Sequence, residues 1–599
     1  MSDIANRIAA LSVEKRDLLM RQVQERRNTA SATFEQYDVA ILGGGMAGLT
    51  LALQLKKERP ATRILVVEKQ KHPVPEATHK VGESTVEIGS GYLRDVLGLE
   101  EHLKTQQLRK FGLRMFFSAD DNQDIARRVE VGPSAPPSLH TYQIDRGRLE
   151  NMLGSTIQQQ GITFLDACKV KQISLQQNYH SLQLQEQDRA FGIVARWVVD
   201  ASGRSSLLKR RLGLVKDVAH NANAAWFRVG QTIDVNAWSN NAEWHARITD
   251  GDRSLSTNHL VGPGYWIWLI RLASGSTSVG IVTDPAIHPF EDINRFDRAL
   301  AWLHIHEPQC ANVIEQYRAD VQDFLVMKNY AYSCRQVFSS ERWCLTGESG
   351  VFTDPLYSPG ADFIAIGNDL ICDLISRDLN GEDIQARAAI HDQVFLSFAD
   401  IWFGIYEQQY ALLGNVQVMA AKIIWDVAAY WGIFGLLYFH DQFRRLGYNP
   451  ELTAHLSRFS LLSIRVQAFF REWNALEQPA VTDTFVDYYT ALAFMIELHA
   501  GMVTRLPAAE LQAQFAANIQ FFERLAGQMV SEVIEECAKH PDDAAMQRQV
   551  QFWQTDPFLA NLLSLYQQGA TSNPIDSNWI NLAHKNKQAV EPNTRLVKS

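Results

Sequence analysis

Three closely spaced glycines and a carboxylate twenty residues further on are the first groups in this chain that could do chemistry. The apolar run Tyr37-Asp38-Val39-Ala40-Ile41-Leu42 leads into Gly43, Gly45 and Gly48, and a helical run, Leu49 to Leu55, follows at once. Gly43 permits a tight turn, Gly45 lets backbone approach a pyrophosphate, and Gly48 lets the helix close on the strand. The helix N-terminus adds free N–H groups and the positive end of its dipole. A second strand, Ile64 to Val67, ends on Glu68, where a carboxylate can accept from ribose hydroxyls. Ala47 and Lys69 flank these positions and belong to the same expected cofactor-binding set. Strand, turn, helix and acid together specify a dinucleotide site.

Two later junctions repeat the pattern. Trp197-Val198-Val199-Asp200 runs into Ala201-Ser202-Gly203, and Trp343-Cys344-Leu345-Thr346 runs into Gly347-Glu348-Ser349-Gly350. Between them, residues of about 215–335 are rich in Trp, Thr and Val with short turns, which predicts an antiparallel sheet. From 385 to 599 helical periodicity dominates and aromatics are frequent, among them Trp402, Tyr406, Tyr410, Trp425, Tyr430 and Trp431. The expected organisation is a helical extension over 1–33, a dinucleotide-binding α/β module over 34–384 carrying the inserted sheet, and an α-helical domain over 385–599. Ser12 is a candidate N-cap for the first helix.

Composition narrows the partners. The chain has 599 residues, 46% of them apolar and 21% charged, so it can bury two or three packed units. A net charge of −10 argues against a nucleic-acid surface, which needs concentrated basic charge. Six scattered cysteines without a CxxC pair suggest reduced thiols in a cytoplasmic protein and no metal site. The most apolar run, Val427 to Phe439, is shorter than the roughly 20 residues a spanning helix needs, so a membrane role is not expected.

The order of the three junctions resembles the p-hydroxybenzoate-hydroxylase type of FAD-binding fold. That resemblance puts Arg146 and Asp200 near the adenosine half of FAD and Glu348 near the ribityl chain, where the family usually has Asp. Gly264-Tyr265-Trp266-Ile267-Trp268-Leu269-Ile270 resembles the Trp-x-Trp-x-Ile-Pro signature of flavin-dependent halogenases, with Arg271 in place of the Pro. Phe352-Thr353-Asp354-Pro355-Leu356-Tyr357-Ser358-Pro359-Gly360 is similar to their Phe-x-x-Pro-x-x-Ser-x-Gly loop. Lys80, before Gly82-Glu83-Ser84, stands for their active-site lysine. The resemblance covers roughly residues 37 to 375.

It implies that FADH2, supplied by a separate reductase, and O2 convert chloride or bromide to hypohalous acid. Ser358, Pro359, Gly360 and Ala361 would hold the halide, and Lys80 would direct the halogen to the substrate. Trp266 and Trp268 would keep that substrate away from the flavin. Tyr357 takes the place of the catalytic Glu of tryptophan halogenases, which favours a phenol or pyrrole, free or tethered to a carrier protein. Leu11-Ser12-Val13-Glu14-Lys15-Arg16-Asp17-Leu18-Leu19 resembles linker helices of peptide synthetases and points to the same kind of partner. The Lys80 to Ser84 run is also similar to one in geranylgeranyl-reductase-like flavoproteins, so a reductase, dehydrogenase or hydroxylase is the alternative.

Overall fold

A computed structural model describes residues 35–76, 80–119, 121–476 and 481–569. The helix expected within 1–33 and the tail beyond 569 lie outside the described residues.

The first sheet is built on parallel strands in the order Trp343–Leu345, Arg189–Asp200, Glu35–Leu42, Ile64–Val67 and Thr163–Leu165. Such strands are covered on both faces, and Ile64–Val67 is correspondingly apolar and buried throughout. Leu42 pairs with Asp200, and Asp200 with Leu345, so the three strands end level. Their turns therefore meet at one edge, the place where open α/β sheets bind ligands. Helices Met46–Glu58, Arg146–Gln159 and Gly360–Leu379 pack around that edge.

The second sheet centres on Tyr265–Arg271, flanked by antiparallel Thr257–Gly262 and Thr277–Thr283. It draws on more chain than the expected 215–335 and is not wholly antiparallel. Leu113–Phe117 lies parallel to Thr257–Gly262, and Phe485–Val486 from the helical region lies parallel to Val129–Val131. Strands imported from so far away leave no local turn signal in the sequence.

Alternation along Tyr265–Arg271 sends its side chains to two cores. Tyr265, Ile267 and Leu269 join a cluster with Trp244, Trp302 and Ile314, whereas Trp266, Trp268 and Ile270 join the main core. The main core runs from Tyr37 to Leu562, so the C-terminal helices share one interior with the dinucleotide-binding sheet. Within them, Val416–Phe439 is one continuous 24-residue helix, longer than the apolar run read from the sequence. It is long and apolar enough to cross a bilayer, but 94% of its most apolar window is buried inside the protein. Its segment Tyr430–Gly435 is a π-helix. All six cysteines are buried and unpaired.

Candidate active site

A cavity of about 590 Å³ opens where the three turns meet. Gly43, Gly45, Ala47, Glu68, Lys69, Arg146 and Glu348 line it, with Lys80, Trp266, Trp268 and the loop Ser358 to Ala361. Gly43 has φ +129, and a side chain there would strike the Ala201 carbonyl at 2.3 Å. A Cβ on Gly48 would come within 2.0 Å of the Gly43 carbonyl, so Gly48 serves the turn from behind the cavity. A Cβ on Gly45 would meet nothing nearer than Glu150 Oε1 at 3.9 Å, so this backbone faces open space. Glu68 Oε2 accepts from the Gly44 N–H at 2.6 Å, and Arg146 Nε is buried without a hydrogen-bond partner among the described residues. An open glycine turn, a helix N-terminus and an orphaned guanidinium N–H fit a dinucleotide.

Lys80 lines the same cavity. Its amine pairs with Glu150, which also takes Arg146 at 2.8 Å and the Met46 N–H at 3.3 Å. Burial and the neighbouring Arg146 bring the Lys80 amine down to about 8. Glu150, fully buried on helix Arg146–Gln159, was missed by the sequence reading; its spacing of four from Arg146 was the available signal.

The opposite wall is tied to the helical region. Trp266 Nε1 donates to Tyr410 OH at 2.8 Å, and Tyr410 donates to Asp354 Oδ2 at 2.6 Å. Tyr330 and His220 reach the same oxygen at 2.6 and 2.7 Å. Burial opposes the charge on Asp354, yet His220 and the two phenols hold its carboxyl below the usual range.

In the loop expected to hold the halide, Ser358 adopts φ 60 and its N–H is committed to the Pro355 carbonyl at 2.9 Å. Pro359 has no N–H, so neither residue offers a backbone donor. Gly360 and Ala361 head the helix Gly360–Leu379, where first-turn N–H groups lack intrahelical acceptors, and a Cβ on Gly360 would meet nothing within 4 Å.

Tyr357 and Asp200 do not line this cavity. Asp200 is buried and spends its carboxylate on the Ser202 and Leu208 N–H groups and the Ser202 hydroxyl, shaping its own turn. Tyr357 faces a second, smaller cavity of about 50 Å³, with Glu87, Lys110, Asp426, Trp402, Tyr430 and Trp431 among its lining residues. Here lies the other group the sequence reading missed. Lys110 is 3% exposed, and burial lowers its amine to about 8 against the pull of Glu87 and Asp362. It donates to Ser84 Oγ at 2.8 Å and to the Thr85 carbonyl at 3.0 Å, and Ser84 lines the large cavity. Lys110 thus stands at the partition, one hydroxyl from the large cavity, while Lys80 pairs with Glu150 beside the Gly43 to Gly48 turn.

The parallel sheet, the glycine turn and the second sheet over the cavity define an FAD fold of the p-hydroxybenzoate-hydroxylase type. A family model described as lycopene cyclase protein matches residues 38–221. A flavin-dependent halogenase of Dictyostelium discoideum is 26% identical over 433 residues, 66% of this chain and 70% of its own. The 1H-pyrrole-2-carbonyl peptidyl-carrier-protein chlorinase of Pseudomonas fluorescens is 25% identical over 342 residues, 54% of this chain and 72% of its own. The crystal structure of halogenase PltM shares the fold with a TM-score of 0.61 at 16% identity, covering 81% of this chain and 97% of that one. Within the fold class, the chain is similar in sequence to flavin-dependent halogenases.

Proposed function

We propose that this chain is a flavin-dependent halogenase that acts on an electron-rich aromatic ring, a phenol or a pyrrole, free or tethered to a carrier protein. FAD would be held along the large cavity by the Gly43 to Gly48 turn, Glu68, Arg146 and Glu348, with a separate reductase supplying its reduced form. Bound there, reduced FAD with O2 supplies the oxidant that turns chloride or bromide into hypohalous acid. Gly360 and Ala361 would direct N–H groups at the halide, and Trp266, fixed through Tyr410, and Trp268, fixed through Ser278, would bar the aromatic substrate from this space.

The observation that carries the reading is the Lys110 amine between the two cavities. Hypohalous acid formed on one side can be bound by that amine and offered to a ring on the other. Lys110 suits this role better than Lys80, whose charge is engaged by Glu150 beside the phosphate cradle. Burial supplies a fraction of neutral amine near pH 8. The carrier-tethered option draws support from relatives named as chlorinase and brominase of a pyrrolyl-carrier protein.

The reading is tested with a flavin reductase, NADH, a halide and a panel of phenols, pyrroles and their carrier thioesters, with products read by mass spectrometry. Halogenated product is expected. A hydroxylated product, or oxidation of the ring without halogen, would instead favour the hydroxylase or dehydrogenase reading.

A further inference from the structure

Putting a halogen on an aromatic carbon releases a proton, and something must take it. The ring's electron pair attacks the halogen of hypohalous acid, the oxygen–halogen bond breaks, and the departing hydroxide becomes water with a proton from the Lys110 ammonium. The ring carbon still carries its hydrogen at that point. Tyr357, which lines the second cavity directly before Ser358 in the chain, is a poor acceptor because burial holds its phenol well above its ordinary pKa.

The second cavity has one carboxylate poised for the task. Glu87 lines it, is 8% exposed, and is braced from behind by His499 Nε2 at 3.3 Å from Oε1. His499 is itself held through Nδ1 by Tyr489 OH at 3.2 Å and Ser138 Oγ at 3.4 Å. The other carboxylates nearby are occupied. Asp426 lies 2.8 Å from the Lys422 amine and accepts from Gln467 at 2.7 Å. Asp362 takes the Gly89 N–H at 2.8 Å and Tyr430 OH at 2.9 Å, and burial raises its carboxyl to about 8. Burial would raise Glu87 as well, but the hydrogen bond and charge of His499 outweigh it and keep the carboxyl below its ordinary value. The cavity also holds unspent polar capacity of its own, since the buried Nε1 groups of Trp402 and Trp431 have no hydrogen-bond partner among the described residues.

We infer that Glu87, braced by His499, is the base that takes the ring proton of the aromatic acceptor in the second cavity. The inference rests on the halogenation reading. It assigns Lys110 and Glu87 opposite duties in one small space: the amine presents the halogen and the carboxylate collects the hydrogen it displaces. Glu87 then gives that proton back to the Lys110 amine, restoring the ammonium and closing the cycle with the ring substituted and water formed.

The test compares the full-length FAD-loaded wild type with Glu87→Gln and His499→Gln, using resorcinol as the acceptor with hydrogen or deuterium on its ring. Hypohalous acid release is followed in parallel by a chemical trap. Positioned general bases contribute about 10²–10⁴-fold, so halogenated product from Glu87→Gln should fall by about 100-fold while hypohalous acid is still released. Ring deuteration should leave the wild-type rate unchanged, because proton loss there is fast, and should slow Glu87→Gln. His499→Gln, which keeps the carboxylate but removes its brace, should show the same isotope effect in weaker form, and it decides the matter if Glu87→Gln does not fold. A Glu87→Gln variant as fast as wild type with no isotope effect, or a His499→Gln variant insensitive to deuterium, overturns the inference and leaves halogenation standing. A wild type that releases no hypohalous acid and leaves resorcinol unhalogenated overturns the underlying reading instead.

Discussion

Lys110 donates to Ser84 across 2.8 Å, and Ser84 bonds Thr257 at the same distance on the wall of the large cavity. This pair of residues links the large cavity to the smaller aromatic one. Several consequences can be measured.

The two lysines should separate cleanly. Lys110→Met should lower halogenated product by at least about 100-fold, while oxidation of reduced flavin continues. Lys80→Met should act on the cofactor, weakening FAD by about tenfold, or about 1.4 kcal/mol. Mass spectrometry of products and a fluorescence titration of FAD check the two arms. If Lys80→Met loses product at unchanged FAD affinity, the roles assigned to the lysines are reversed.

The same amine should leave a mark on stability. Lys110 titrates at about 8 in the folded protein and near 10.5 in the unfolded chain. Between those values the unfolded chain holds a proton that the folded one lacks, so this group's contribution to stability rises with pH across that window. Lys110→Met should remove that part of the rise. Denaturant midpoints for both proteins at pH 7.5 and 10, buffered identically, give the difference; parallel changes would mean that the amine titrates normally.

Gly45→Val should empty the site without unfolding it. The added side chain projects into the cavity, where a Cβ meets only Glu150 Oε1 at 3.9 Å. FAD affinity should fall at least about 100-fold, or about 2.7 kcal/mol, while the thermal midpoint of the FAD-free protein stays close to wild type. An FAD titration indistinguishable from wild type would place the pyrophosphate elsewhere.

Tyr410→Phe should cost stability through Trp266. The change strips the Trp266 N–H of its acceptor and removes one of the donors to Asp354. A buried unpaired donor costs about 1–3 kcal/mol. Because the penalty belongs to the pair, Tyr410→Phe combined with Trp266→Phe should cost less than the sum of the single changes. Additive urea-unfolding free energies would show that the two side chains are not coupled.

Much of the dinucleotide end is legible in the sequence because its information is local. A strand, three glycines, a helix and an acid lie within about thirty residues, and their backbone requirements are strict. The alternation Tyr265-Trp266-Ile267-Trp268 likewise identifies which rings share a face. What escaped is non-local. Lys110 reads as one more cation in a polar stretch until Leu113–Phe117 is found inserted beside Thr257–Gly262, which carries it into the interior. Glu87 and His499 are separated by 412 residues, and nothing near either announces the other. Asp200 illustrates the opposite error: a residue at the right junction whose carboxylate is consumed by its own turn.

The π-helical stretch Tyr430–Gly435 supplies Tyr430, Trp431 and Phe434 to the smaller cavity. Such a stretch carries a surplus residue within an otherwise regular rod. Passing that surplus one step along the rod would rotate three aromatic rings together and leave the remaining helix intact. The compartment, about 50 Å³ in this structure, would thereby widen around an aromatic guest, and descendants could be refitted to other rings by shifting a single residue rather than rebuilding the scaffold.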